Sequence, residues 1–177
     1  MTTWIALIRG VGGGIRPLPM KPLVAHLTDG GFRSVRTYIA SGNVLFSATR
    51  GTAASFGERI SRCISENFGF DAHVIVLRDK ELGLAAKQNP FPKADENPKT
   101  LHLFFLARAP ASLDLDAIRK LKAPSEDFAL KGNVFYLYTP KGFGLSKLAT
   151  RVEKALGVEA TARNWNTVTK LLELAGE

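Results

Sequence analysis

The chain has 177 residues, with 24 Lys and Arg against 16 Asp and Glu, a formal net charge of +8 and a pI near 9.8. Hydrophobic residues make up 45% and charged residues 23%, the balance of an ordinary globular protein with enough chain for one sizeable core or two small halves sharing one. A lone cysteine, Cys63, excludes an internal disulfide framework, and no stretch is long and apolar enough to cross a bilayer.

Residues 3–9 are rich in Trp, Ile and Leu and read as a strand buried on both faces. A loop over 10–19 follows, with Gly10, Gly12, Gly13 and Gly14, then Arg16, Pro17 and Pro19. Met20, Leu23, Val24 and Leu27 mark the apolar face of a helix that Gly30-Gly31 stops. Strands over 34–40 and 44–47 flank Gly42-Asn43. Phe56, Ile60, Cys63, Ile64 and Phe68 fall at helical spacing over 53–68, and Gly69 ends that helix. A strand over 72–77 and a short helix over 79–87, capped by Asp79, complete the first half.

Three prolines, Pro90, Pro92 and Pro98, mark 89–98 as a linker between halves at 1–88 and 99–177. The order then recurs. It runs through a strand over 100–106, a helix over 112–121 with Leu115, Ile118 and Leu121 inward, and strands over 127–130 and 134–138. A helix over 146–156 carries Leu148, Val152 and Leu156, and a short strand over 158–161 follows. Asn164 caps a last helix with Val168, Leu171, Leu172 and Ala175 on its apolar face.

The two hairpins, RTYIASGNVLFS over 36–47 and FALKGNVFYLY over 128–138, each carry Gly-Asn between β-prone runs. Both dipeptides can take positive φ and are expected as tight two-residue turns. The chain is thus read as an α+β protein of two ferredoxin-like (β-α-β-β-α-β) halves plus a C-terminal helix. Helices cover one face of each sheet, yet the strands are apolar on both. The uncovered faces, with Phe104, Phe135 and Leu45 as test positions, therefore need burial by the other half or by a second copy in a homodimer.

Three stretches are candidate anion sites. In the loop after the first strand, Arg9, Gly12, Gly13 and Arg16 offer close backbone approach and positive charge. It fails the dinucleotide fingerprint at Ile15 and lacks the Lys-Ser/Thr pair of a P-loop. Lys141, Ser146 and Lys147 lead into one late helix, and Arg163, Asn164 and Thr167 into the next, where helix N-termini favour anions and also need capping. The segment KGNVFYLY partly echoes an RNA-recognition strand, but Asn133 stands where a stacking aromatic is required.

No catalytic constellation stands out. His26, His73 and His102 are scattered, no metal-ligand spacing occurs, and no cofactor is implied. No His lies near Cys63 in sequence, so it reads as a small buried hydrophobe.

The Arg-Gly glycine loop ending in Met20-Lys21, the RTYIASGNVLFS hairpin and the tail GFGLSKL…TARNWNTVTKL together resemble a bacterial family known as domain of unknown function 1697. The resemblance implies a soluble α+β fold and no particular activity. The chain departs from the family pattern in having Gly12 where the loop usually has Asn, and Ala162 where the tail usually has a second Thr.

The reading that follows is a cytoplasmic anion-binding protein for a phosphorylated small molecule or a nucleic-acid backbone. Its rivals are a small-metabolite enzyme using the same loops and an interaction module that dimerises through its sheets.

Overall fold

The computed structural model describes residues 1–12, 16–111 and 114–176. The chain divides into two compact units, Met1–Gly83 with Leu171–Glu177, and Leu84–Lys170.

The first unit follows the ferredoxin-like order: β1 (Thr2–Ile8), α1 (Met20–Asp29), β2 (Arg33–Tyr38), β3 (Asn43–Ala48), α2 (Ala53–Phe68) and β4 (Val74–Arg78). The sheet order is β2-β3-β1-β4, with every neighbouring pair antiparallel. Sequence chemistry sets the ends of α2. Thr52 and Ser55 form a reciprocal capping box at its start, and Gly69 takes φ +75° at its end. One sheet face, bearing Trp4, Ala6, Ile8, Val44, Phe46 and Val76, packs on Leu23 and Leu27 of α1 and on Phe56, Ile60 and Ile64 of α2. Ile5, Leu7 and Leu45 point to the other face and are fully buried too.

The next helix, α3 (Asp79–Lys87), has the expected bounds, and its Glu81 carboxylate accepts the Arg78 N–H at 2.7 Å. The division between units falls after Gly83, within α3. The proline-rich stretch 89–98 falls within the second unit. It contributes short 3-10 turns at Pro92–Asp95 and Pro98–Thr100, and Ala94 is fully buried.

The second unit repeats the pattern with β5 (Leu101–Leu106), α4 (Leu115–Leu121), β6 (Asp127–Lys131), β7 (Val134–Tyr138), α5 (Val152–Leu156) and β8 (Ala160–Asn164). Its order, β6-β7-β5-β8, matches the first. The last helix, α6 (Trp165–Gly176), begins in this unit. Together these make an α+β protein with two ferredoxin-like halves and a C-terminal helix.

Several expectations need correction. Phe104 and Phe135 lie on the helix-covered face, packed with Ile118, Leu148 and Val152. The other face of that sheet is Leu101, Leu103, Phe105 and Tyr136, each no more than 1% exposed. Tyr136 is satisfied by donating its hydroxyl to the Ala85 carbonyl at 2.7 Å, and burial pushes its pKa up to about 12. The helix expected over 146–156 is α-helical only over the short α5, which a 3-10 turn at Ala149–Arg151 precedes; a further 3-10 turn, Phe143–Leu145, lies before that span. The helix start expected at 112 falls on Ser112 and Leu113, outside the described residues. Asp114 caps α4 by accepting the Ala117 N–H at 2.9 Å.

The hairpins differ from each other. Lys131 pairs with Val134, so Gly132-Asn133 is a two-residue turn with Gly132 at φ +57°. In the first hairpin Tyr38 pairs with Asn43, which leaves a four-residue turn over 39–42. Asn43 is a fully buried strand residue whose side-chain amide donates to the Tyr38 carbonyl at 3.1 Å and to Ser41 Oγ at 2.9 Å. Gly42 alone of that Gly-Asn pair takes positive φ.

No helix of the described residues is long and apolar enough to cross a membrane.

Candidate anion site

The loop leaving β1 is locked against the first hairpin turn. The Ile8 N–H donates to the Gly42 carbonyl at 2.8 Å, and the Arg9 N–H to the His73 carbonyl at 2.9 Å. Gly10 and Gly12 take φ +70° and +78°. A Cβ on Gly12 would stand 2.1 Å from the Ala40 carbonyl oxygen, so only a bare backbone passes there. A Cβ on Gly42 would stand 2.5 Å from Val11 Cγ2 and 2.8 Å from the Ile8 carbonyl oxygen. Two glycines on opposite sides of one contact thus let the loop and the turn interlock. At the tip of that turn Ile39 takes φ +49° while 53% exposed, a conformation β-branched residues rarely adopt.

The loop then closes on itself. The Gly12 N–H donates to the Arg16 carbonyl at 3.0 Å. Gly13, one of the expected site residues, lies outside the described residues. Arg9 and Arg16 are both exposed. Arg16 leans toward the Asp71 carbonyl at 3.5 Å and over the Phe70 ring at 5.3 Å from its centroid. Arg9 and Arg16 are thus exposed cations on either side of Gly12, whose own position is fixed by its close approach to Ala40.

The second-half candidates separate into exposed cations and buried groups. Lys141 and Lys147 are exposed. Ser146 is buried, and its Oγ accepts the Ala149 N–H at 3.0 Å. Asn164 Oδ1 accepts the N–H of the buried Thr167 at 2.9 Å. Both side chains thus serve as caps for their own following turns. Arg163 is buried on β8 and donates to Thr161 Oγ1 and to the Ala162 carbonyl, each at 2.8 Å. Burial lowers its pKa to about 10, still a cation at neutral pH.

His102 stacks on Phe143 at 3.7 Å, its Nδ1 is buried without a partner, and burial lowers its pKa to about 4. Burial raises the Cys63 thiol pKa, while a hydrogen bond from Asn67 lowers it and Glu66 raises it. A thiol pushed upward is a poor nucleophile at neutral pH. Among the described residues, no three of His, Cys, Asp and Glu gather as a metal ion would need.

The family described as "Protein of unknown function (DUF1697)" matches residues 1–136. The chain is also similar to a solved structure titled "The structure of conserved bacterial protein SP0830 from Streptococcus pneumoniae", with a TM-score of 0.69, 19% identity and 98% of each chain covered. At that identity the likeness extends to the fold. No curated protein matches the chain.

Proposed function

We propose that the chain, which belongs to the DUF1697 family by its match over residues 1–136, is an anion-binding protein whose site is the glycine loop after β1. The observation that carries this reading is the built character of the loop. Gly12 admits no side chain, the turn it forms closes at Arg16, and Arg9 and Arg16 stand exposed on either side. Glycine-rich backbone lets an anion approach closely, and guanidinium groups match phosphate oxygens in a fork geometry. The net charge of +8 favours the approach of such ligands. The ligand class is a phosphorylated small molecule or a nucleic-acid backbone.

Calorimetric titration with inorganic pyrophosphate and with a short single-stranded RNA, across a salt series, tests this. A nucleic acid gives a steep loss of affinity with salt, and a small phosphate a shallow one. Replacing Arg9 and Arg16 together by alanine is expected to weaken binding about tenfold or more while leaving the fold intact. Unchanged binding by that double variant would remove the loop from the site.

A further inference from the structure

We infer that the first unit carries a second anion site, built for the phosphate group of a small molecule, at the end of β1 away from the glycine loop. It goes beyond the site proposed above and uses none of its residues. Thr2 and Thr3 at the start of β1 pair with Ala48 and Ser47 at the end of β3. Beside them opens a pocket of about 210 Å³ whose lining includes Arg33, Arg50 and Arg59 together with Ser47 and Thr49. Among the described residues no carboxylate lines it. Among the described residues no Asp or Glu pairs with any of the three guanidinium groups. Three like charges around one pocket repel one another, and an anion turns that repulsion into attraction.

Each arginine is brought there by a specific local device. Arg33 opens β2 and pairs with Ser47, and the register shifts between Arg33 and Arg36. Ser34, inside that irregularity, takes φ +50°. Such bulges re-aim side chains and concentrate next to functional sites. Arg50 sits in the short connection from β3 to α2. Gly51 takes φ +128° there, and a Cβ on it would stand 2.4 Å from Phe56 Cζ, so the connection lies directly on the Phe56 ring. Arg59 lies over the Phe32 ring, 4.4 Å from its centroid, and donates Nη2 to the Gly30 carbonyl at 2.7 Å. Its guanidinium is held before any ligand arrives, which lowers the entropic cost of binding. The volume is below the usual range of about 300–1,000 Å³ for pockets that enclose whole drug-sized ligands, and suits a phosphate head group.

The test is calorimetry with inorganic pyrophosphate on the parent, on Arg33→Ala with Arg50→Ala, and on Arg9→Ala with Arg16→Ala. Arg33 and Arg50 are exposed, so their replacement leaves the core intact. Arg59 is left in place because it packs on Phe32. The parent is expected to bind pyrophosphate saturably, and the Arg33/Arg50 variant to lose one binding event or weaken it at least about tenfold. Restoring charge with lysine at 33 and 50 should recover part of the loss, since the charge returns without the fork. If the Arg33/Arg50 variant binds like the parent while the Arg9/Arg16 variant is weakened, the second site is refuted and the glycine-loop reading stands. If single-stranded RNA binds more tightly than pyrophosphate, with a steep salt slope lost in the Arg33/Arg50 variant, the small-molecule assignment is overturned.

Discussion

Replacing Gly42 and Gly132 by alanine, one at a time, separates two costs that are usually mixed. Both glycines sit in hairpin turns with positive φ, +76° and +57°. An L-residue in the left-handed region costs about 1–2 kcal/mol, and both variants incur that. Their surroundings differ. Nothing lies within 4 Å of a Cβ on Gly132, whereas one on Gly42 meets Val11 Cγ2 at 2.5 Å, the Ile8 carbonyl oxygen at 2.8 Å and Ile8 Cβ at 2.9 Å. Two of these three atoms belong to β1, in the middle of its sheet, and cannot swing aside. Overpacking of this kind adds about 1–3 kcal/mol. Gly42→Ala should therefore lose about 2–5 kcal/mol and Gly132→Ala about 1–2 kcal/mol. Urea denaturation followed by tryptophan fluorescence and circular dichroism measures both. Equal losses would show that the loop and the first turn do not interlock.

Three further outcomes are expected. Asn43→Ala removes the buried amide that bonds the Tyr38 carbonyl and Ser41 Oγ, and should cost about 1–3 kcal/mol by denaturation; a loss within error would mean that this amide does not hold the turn. Phe135→Ala should cost about 3–5 kcal/mol, because Phe135 stacks on Phe128 at 5.4 Å and meets Phe104 at 6.1 Å in the helix-covered core; a small effect would contradict that placement. His102 has a folded pKa near 4, below its ordinary value near 6.5, so the unfolded chain takes up the proton first. Its contribution is fully present above about pH 6.5 and declines toward pH 4, by a total of about 1–3 kcal/mol. Urea midpoints of the parent should fall over that window more steeply than those of His102→Phe, and parallel curves would refute the assignment.

The helices with both ends written in their chemistry were legible in sequence. The span of α2 followed from its apolar period and Gly69, and α3 came out with its expected bounds. The segment 146–156 was misleading. Leu148, Val152 and Leu156 have helical spacing, yet Thr150 Oγ1 bonds the Lys147 carbonyl at 2.9 Å and the backbone runs through a 3-10 turn there. The sides taken by Phe104 and Phe135 could not be read, because alternation assigns faces only when one face is polar. The turn length of the first hairpin was hidden for a different reason. Asn43 has the chemistry of a turn residue, and only tertiary burial makes it a strand residue. Glycines and flanking arginines announced the loop after β1. Arg33, Arg50 and Arg59 carried no such signal, since strand pairing of Arg33 with Ser47 is what brings distant segments together.

The most direct measurement of anion binding is a titration of the isotope-labelled chain with inorganic pyrophosphate, followed residue by residue through its backbone amide resonances. The account predicts saturable shifts confined to two clusters, one at Arg9, Gly10, Val11, Gly12 and Arg16, the other at Arg33, Thr49, Arg50 and Gly51. Shifts that fail to saturate, or that spread evenly over surface lysines such as Lys120 and Lys154, would contradict it.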